Sequence, residues 1–193
     1  MVDKFARGVA VISILLTFGT FGWDHFRGPD LSASPGKYVY LQGWPRIGIP
    51  MGFFNGGAKG AIINTGALTL DDGANKFNFK LTLFSSSTDK WTIKSGSAIP
   101  IPAELTLFSY MLTKPGDVSE GVFWYSPELK DFKFQADRKY TASLKFARQE
   151  QSDSGATGGR KELCSSVVVF HVNSSTATNA AQNPSEVYPV NAD

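Results

Sequence analysis

Tyr140-Thr141-Ala142-Ser143-Leu144-Lys145-Phe146 carries an apolar side chain at every second position, with Thr, Ser or Lys between. Successive side chains of an extended strand point to opposite faces. A period of two therefore puts one set in a core and the other in water. Phe77-Asn78-Phe79-Lys80-Leu81-Thr82-Leu83 repeats the pattern. Gly60–Leu70 and Leu163–Val172 are apolar on both faces in part, as strands in the middle of a sheet are. No stretch between Lys37 and Asn173 has a helical period.

Working outward, turn chemistry separates these runs. Asn55-Gly56-Gly57 follows Phe54, Asp71-Asp72-Gly73 follows Leu70, and Lys114-Pro115-Gly116-Asp117 follows Leu112. Each supplies Gly, Asn or Asp where φ must turn positive, or Pro where φ is preset. Residues 149–160 are polar and read as a long hairpin loop. Pro45, Pro50, Pro100 and Pro102 cannot donate to a ladder, which predicts edge strands or strand starts there. The result is a set of short strands near 37–42, 46–54, 60–70, 76–84, 90–94, 101–112, 121–125, 138–147 and 162–172. That spacing predicts an all-β, antiparallel two-sheet sandwich over residues 37–173.

Asp137-Arg138-Lys139-Tyr140 puts a tyrosine at the start of the most regular strand, three residues after an aspartate. This resembles the tyrosine corner of immunoglobulin-like and fibronectin-like sandwiches, although Arg138 stands where the corner usually has glycine. The resemblance implies a buried Tyr140 whose hydroxyl bonds to backbone near the strand start. An inter-sheet disulfide is excluded, since Cys164 is the only cysteine.

Residues 1–27 read differently. Gly8 to Trp23 is 16 residues without a charge, preceded by Lys4 and Arg7 and followed by Asp24, His25 and Arg27. A spanning helix wants about 20 apolar residues and a signal peptide core about 7–15. The run fits a hydrophobic helix that is an uncleaved membrane anchor, with Trp23 and Phe26 at the interface, or a cleaved signal peptide. A helix buried in the protein core is the third reading. Lys4 and Arg7 before the run keep the N-terminus in the cytoplasm, which puts the sandwich outside it, in a periplasmic or extracellular space. Residues 28–36 read as a linker and residues 174–193 as a disordered tail.

Composition excludes other classes. Lys and Arg number 19 against 17 Asp and Glu, a net charge of +2, which gives no reason to expect nucleic acid as the main partner. Hydrophobic content of 42% is too high for a disordered chain and too low for a multispan membrane protein.

No catalytic set emerges. Cys164 and His171 lie seven apart on one predicted strand, hence on opposite faces. No Gly-x-Ser-x-Gly occurs, and Gly96-Ser97 precedes no helix. Glu104, Asp117, Glu120, Glu128 and Asp131 are carboxylates of the kind a glycosidase pairs, and any surface of this size has as many. Asp71, Asp72 and Asn75 lack the ligand spacing of a calcium loop, and Asn55 to Gly60 lacks the helix that follows a phosphate loop. No cofactor or metal is therefore expected. Asn173-Ser174-Ser175 is a glycosylation sequon in a eukaryotic host. Phe53, Trp124 and Tyr125 are candidates for a protein-partner surface, because three consecutive aromatics on a strand, Phe123 to Tyr125, must point at least one outward.

These features predict a non-enzymatic extracytoplasmic domain, held on membrane lipid by one N-terminal helix, that binds or supports at the cell envelope. A secreted hydrolase freed by signal cleavage and a self-assembling shell or appendage subunit are the alternatives.

Overall fold

The computed structural model describes Ser13 and residues 28–43, 45–86, 90–94, 97–101, 105–129, 131–151, 157–183 and 185–193. Its strands are β1 (Leu31–Pro35), β2 (Tyr38–Gln42), β3 (Arg46–Asn55), β4 (Ala61–Ile63), β5 (Thr65–Asp71), β6 (Lys76–Ser85) and β7 (Lys90–Lys94). They continue with β8 (Ser97–Ile101), β9 (Thr106–Leu107), β10 (Met111–Thr113), β11 (Val118–Pro127), β12 (Arg138–Gln151), β13 (Thr157–Val172) and β14 (Val187–Asn191). One helix among the described residues, α1 (Ser174–Gln182), lies between β13 and β14.

Antiparallel pairing runs through one ten-stranded sheet in the order β13-β12-β5-β6-β11-β3-β2-β14, with β1 on β3 and β9 on β6. The sheet curls until its ends touch. Phe170 of β13 bridges Ala192 just after β14, and the Asp193 amide donates to the Val169 carbonyl at 2.8 Å. The expected all-β antiparallel body is present. Its hydrogen bonding is continuous around the curl instead of dividing into two facing sheets.

The core follows the alternation. Ile47, Ile49, Met51 and Phe53 of β3 point inward with Phe123 and Tyr125 of β11 and Tyr140, Ala142, Leu144 and Phe146 of β12. Edge-to-face rings link Phe53, Phe123 and Phe146, with centroids 4.8–5.4 Å apart. Tyr140 is buried, stacks on Phe170 at 5.6 Å, and its hydroxyl accepts the Gln135 amide at 2.9 Å. The contact expected of a tyrosine corner is thus made, with the phenol as acceptor.

Several segments differ from the sequence reading. Leu31–Pro35, read as linker, is β1, and the stretch read as a tail holds α1 and β14. Asn173 caps α1 by accepting the Thr176 amide at 2.8 Å. Pro50, expected at an edge, lies inside β3 with β11 on one side. On the other side the Gly36 amide donates to the Pro50 carbonyl at 2.8 Å, at the break between β1 and β2. The N–H that proline lacks falls at that break, where β1 has ended and β2 has not begun. The hydrophobic helix expected over residues 1–27 lies, apart from Ser13, outside the described residues. No helix among the described residues is long and apolar enough to cross a membrane.

Candidate functional site

The three aromatics expected to offer a partner surface are buried. Phe53, Trp124 and Tyr125 are each 0% exposed. Phe53 and Tyr125 point into the core. Trp124 does point to the outer face, but that face is itself packed: Trp124 and Val122 cluster with Tyr40, Tyr38, Leu83 and Val187. The seat for Trp124 is a glycine. Gly48 stands in register between Tyr40 of β2 and Trp124 of β11, and a Cβ on Gly48 would lie 2.8 Å from the indole ring. Only a residue without a side chain lets the indole lie flat over β3 and stack on Tyr40, at 6.4 Å.

A cleft of about 520 Å³ opens further along the same outer face. It exists because Pro50 and Gly52 occupy successive outward positions of β3 and leave little side chain standing above the strand there. Gly36 and Ser34 line one side and Glu120 the other. Among the described residues, Glu120 is the only carboxylate lining it. Glu128 and Asp131 lie past the far end of β11, and Asp117 lies in the turn before it. The described carboxylates thus do not converge on the cleft as a hydrolytic pair must.

The other candidate groups are absorbed by structure. Asp71 accepts the Gly73 amide at 2.8 Å, and Asp72 accepts Ala74 and Asn75 amides at 2.9 and 2.7 Å. The Asn75 and Ala74 amides hold the Asp72 carboxyl below the usual carboxylate range. These carboxylates shape a turn around Gly73, whose φ is +86°. No group of three or more His, Cys, Asp or Glu among the described residues could hold a metal. Cys164 sits at the rim of the core, where burial and then Glu162 push its thiol up to about 11. It is therefore a neutral thiol at physiological pH, and His171 is exposed on the other face of β13.

The most elaborate polar construction is at the end of the sheet where β3 finishes and β11 begins. Asn55 is 0% exposed and all four of its side-chain bonds are made. Its Oδ1 accepts the Asp30 amide at 3.3 Å and the Gly57 amide at 3.1 Å. Its Nδ2 donates to the Lys59 carbonyl at 2.8 Å and the Thr113 carbonyl at 3.0 Å. One side chain thus ties the residue before β1, the loop after β3, and β10. The Gly56 amide donates to the Asp30 carbonyl at 2.8 Å, and a Cβ on Gly57 would lie 2.3 Å from the Gly28 carbonyl oxygen. The sequence marked Asn55-Gly56-Gly57 as a turn. It did not mark it as the place where the segment 28–30 is fastened, because that partner is 25 residues away in the chain.

Apolar side chains surround this knot in the open. Phe54 and Val118 face each other across β3 and β11, 47% and 60% exposed. Ile62 and Leu112 face each other across β4 and β10, 37% and 48% exposed. The Ser119 hydroxyl, on the face of β11 opposite Val118, bonds to the Leu112 carbonyl at 3.4 Å and so holds β10 on the core side of β11.

Comparison with family models, curated proteins and solved structures gives no match.

Proposed function

We propose that this chain is a non-enzymatic, extracytoplasmic β-domain of immunoglobulin-like kind, tethered to a membrane by a single N-terminal hydrophobic helix within residues 1–27. Its role is binding or structural support at the cell envelope. One observation carries the reading: the chain enters the folded body at Gly28–Asp30, which Asn55, Gly56 and Gly57 hold against the sheet. Only Asp24 to Arg27 separate that clamp from Trp23, the last residue of the uncharged run. A tether this short turns a membrane-held run into a fixed mount for the domain. The described carboxylates, cysteine and histidine, all occupied structurally or set apart, support a role without catalysis.

The test is to express the full chain in a cell with a secretory membrane and follow it by flotation, alkaline carbonate extraction and protease added from outside. Retention in the carbonate-washed membrane, with residues 28–193 digested from outside, is expected. A chain that stays in the cytoplasm, or whose intact mass shows cleavage near Gly22, overturns the tethered reading.

A further inference from the structure

We propose that the cleft on the outer face of β1, β3 and β11 is a binding site for an organic ammonium ion, a primary amine on a short apolar stem, with Glu120 as its counter-charge. The inference does not depend on the tether and stands whether or not the chain is held on a membrane. Three features lead there.

The first is a glycine that the fold does not ask for. Gly36, Gly48, Gly57 and Gly121 are each required by a neighbour. An added Cβ on them would come 2.7 Å from Pro50, 2.8 Å from Trp124, 2.3 Å from the Gly28 carbonyl oxygen and 2.2 Å from Phe84, in that order. Gly52, on the cleft floor, is different. Its backbone lies outside the left-handed region, and an added Cβ would meet nothing nearer than Glu120 Cγ at 3.8 Å. A glycine inside a strand weakens the strand, and one use that offsets this is to let a ligand or another backbone come close.

The second is a set of acceptors without donors. Register places Ser34, Gly52 and Glu120 in one row across β1, β3 and β11. The Glu120 carboxylate leans over Gly52, with Oε1 3.9 Å from the position of the absent Cβ. No described lysine or arginine pairs with it. Two positions along, the Gly36 amide donates to the Pro50 carbonyl at 2.8 Å, and residues so paired in an antiparallel ladder exchange two bonds. Pro50 has no N–H to return, so the Gly36 carbonyl lacks its ladder donor. Ser34 and Ser86 add hydroxyls, and among the described residues no lysine, arginine or histidine lines the cleft. An occupant must therefore bring both the donors and the positive charge.

The third is shape. About 520 Å³ falls within the roughly 300–1,000 Å³ of small-molecule sites. Pro50 and Val122 give the cleft an apolar stretch beside the Gly52 floor. A short stem rests there while its ammonium reaches the Glu120 carboxylate and donates a charge-assisted hydrogen bond.

The experiment titrates the full chain, in mild detergent, with butylammonium chloride and follows the glycine amides by NMR. The expected result is a saturable shift at Gly36, Gly52 and Gly121, with none from butanol or butyrate at the same concentration. Glu120→Gln should raise the dissociation constant about tenfold or more, the loss of one charge-assisted hydrogen bond. Gly52→Ala should melt no lower than the parent chain and bind more weakly, because the methyl occupies the floor. Equal shifts with butanol mark uptake of any apolar additive and overturn the proposal. So do equal shifts with calcium chloride, which give the acceptors to a metal, and shifts that survive Glu120→Gln undiminished. A Gly52→Ala chain that melts well below the parent shows that the fold itself needs this glycine and overturns the proposal as well, as does the absence of any shift. A free amine and a lysine side chain present the same ammonium, and Nα-acetyl-lysine amide run beside butylammonium separates them. Tighter binding of the free amine assigns a small molecule, and tighter binding of the blocked lysine assigns a partner's side chain.

Discussion

Replacing Asn55 with alanine removes four hydrogen bonds from one buried point, and the cost can be worked from what each partner loses. Asp30 and Lys59 are exposed, so water takes over at their amide and carbonyl. Gly57 and Thr113 are buried, and their N–H and C=O stay bare at about 1–3 kcal/mol each. With the packing lost around the vacated volume, Asn55→Ala is expected to destabilise the fold by about 3–5 kcal/mol. Asn55→Asp separates the hydrogen bonds from the shape. It keeps Oδ1 and its two amides, but sets a second oxygen against the Lys59 and Thr113 carbonyls, now at 2.8 and 3.0 Å from a donor. Ionisation there is opposed by burial and by both carbonyl dipoles, so the folded-state pKa of the introduced carboxyl rises above the unfolded value of about 3.9. An acid whose pKa is raised by folding binds more protons folded than unfolded. The Asn55→Asp variant is therefore least impaired below about pH 4 and loses stability as pH rises above that value. The assay is guanidinium unfolding of the full chain in mild detergent, followed by tryptophan fluorescence at pH 4, 6 and 8. The reasoning fails if Asn55→Ala costs under about 1 kcal/mol, or if the deficit of Asn55→Asp does not grow with pH.

Two tyrosines should answer to the same substitution with opposite sign. Tyr140→Phe leaves the Gln135 amide without its acceptor and should lose about 1 kcal/mol, whereas the Tyr125 hydroxyl is buried with no partner, so Tyr125→Phe should be neutral or gain about 1 kcal/mol in the same unfolding titration. Gly48→Ala drives a methyl into the Trp124 ring and should cost about 1–3 kcal/mol, with altered tryptophan emission in the folded state; unchanged emission would refute the seating described for Trp124. Asp72, whose carboxyl is lowered by the Asn75 and Ala74 amides, contributes stability that is present above the unfolded pKa and is lost as pH falls through the folded one. Asp72→Asn keeps an acceptor for both amides and should flatten the acid limb of a melting-temperature profile below about pH 4, the unfolded carboxyl range; an unchanged limb counts against that linkage.

How much the sequence disclosed depended on where each strand takes its stability from. β12 draws it from one buried face, and Tyr140 to Phe146 announced it by alternation; in β6 the rhythm holds for Phe77, Phe79 and Leu81, after which a register shift turns Leu83 to the outer face against Trp124. β1 and β14 draw it from backbone pairing with β3 and β2. In β1 Leu31 and Ala33 alternate with Ser32 and Ser34 over only four residues, and Pro35 and Pro189 interrupt any pattern, so both strands read as linker or tail. The α1 cap was visible, since Asn173 precedes a run of Ser and Thr, but the same residues also spell a sequon. For Trp124 the alternation gave the correct face. What it lacked was the neighbour across the ladder: Ile47-Gly48-Ile49 was the sign that a strand had been cleared for a large ring. The exposed pair Ile62 and Leu112 was illegible for a related reason. Register between β4 and β10 brings together residues 50 apart, and nothing local to either segment reports it.

The seam between β2 and β13 has a bearing on time as well as on shape. Val187–Asn191 pairs with Tyr38–Gln42, and Phe170 bridges Ala192. At synthesis rates of ~5–20 residues per second, β2 waits roughly 8–30 s for its partner. Through that interval the free edge of β2 is unpaired, and near its end β13 adds a second open edge, each able to template a foreign strand. The nascent domain is then an open sheet with two adhesive margins, and the arrival of the last strand is what makes it a closed object.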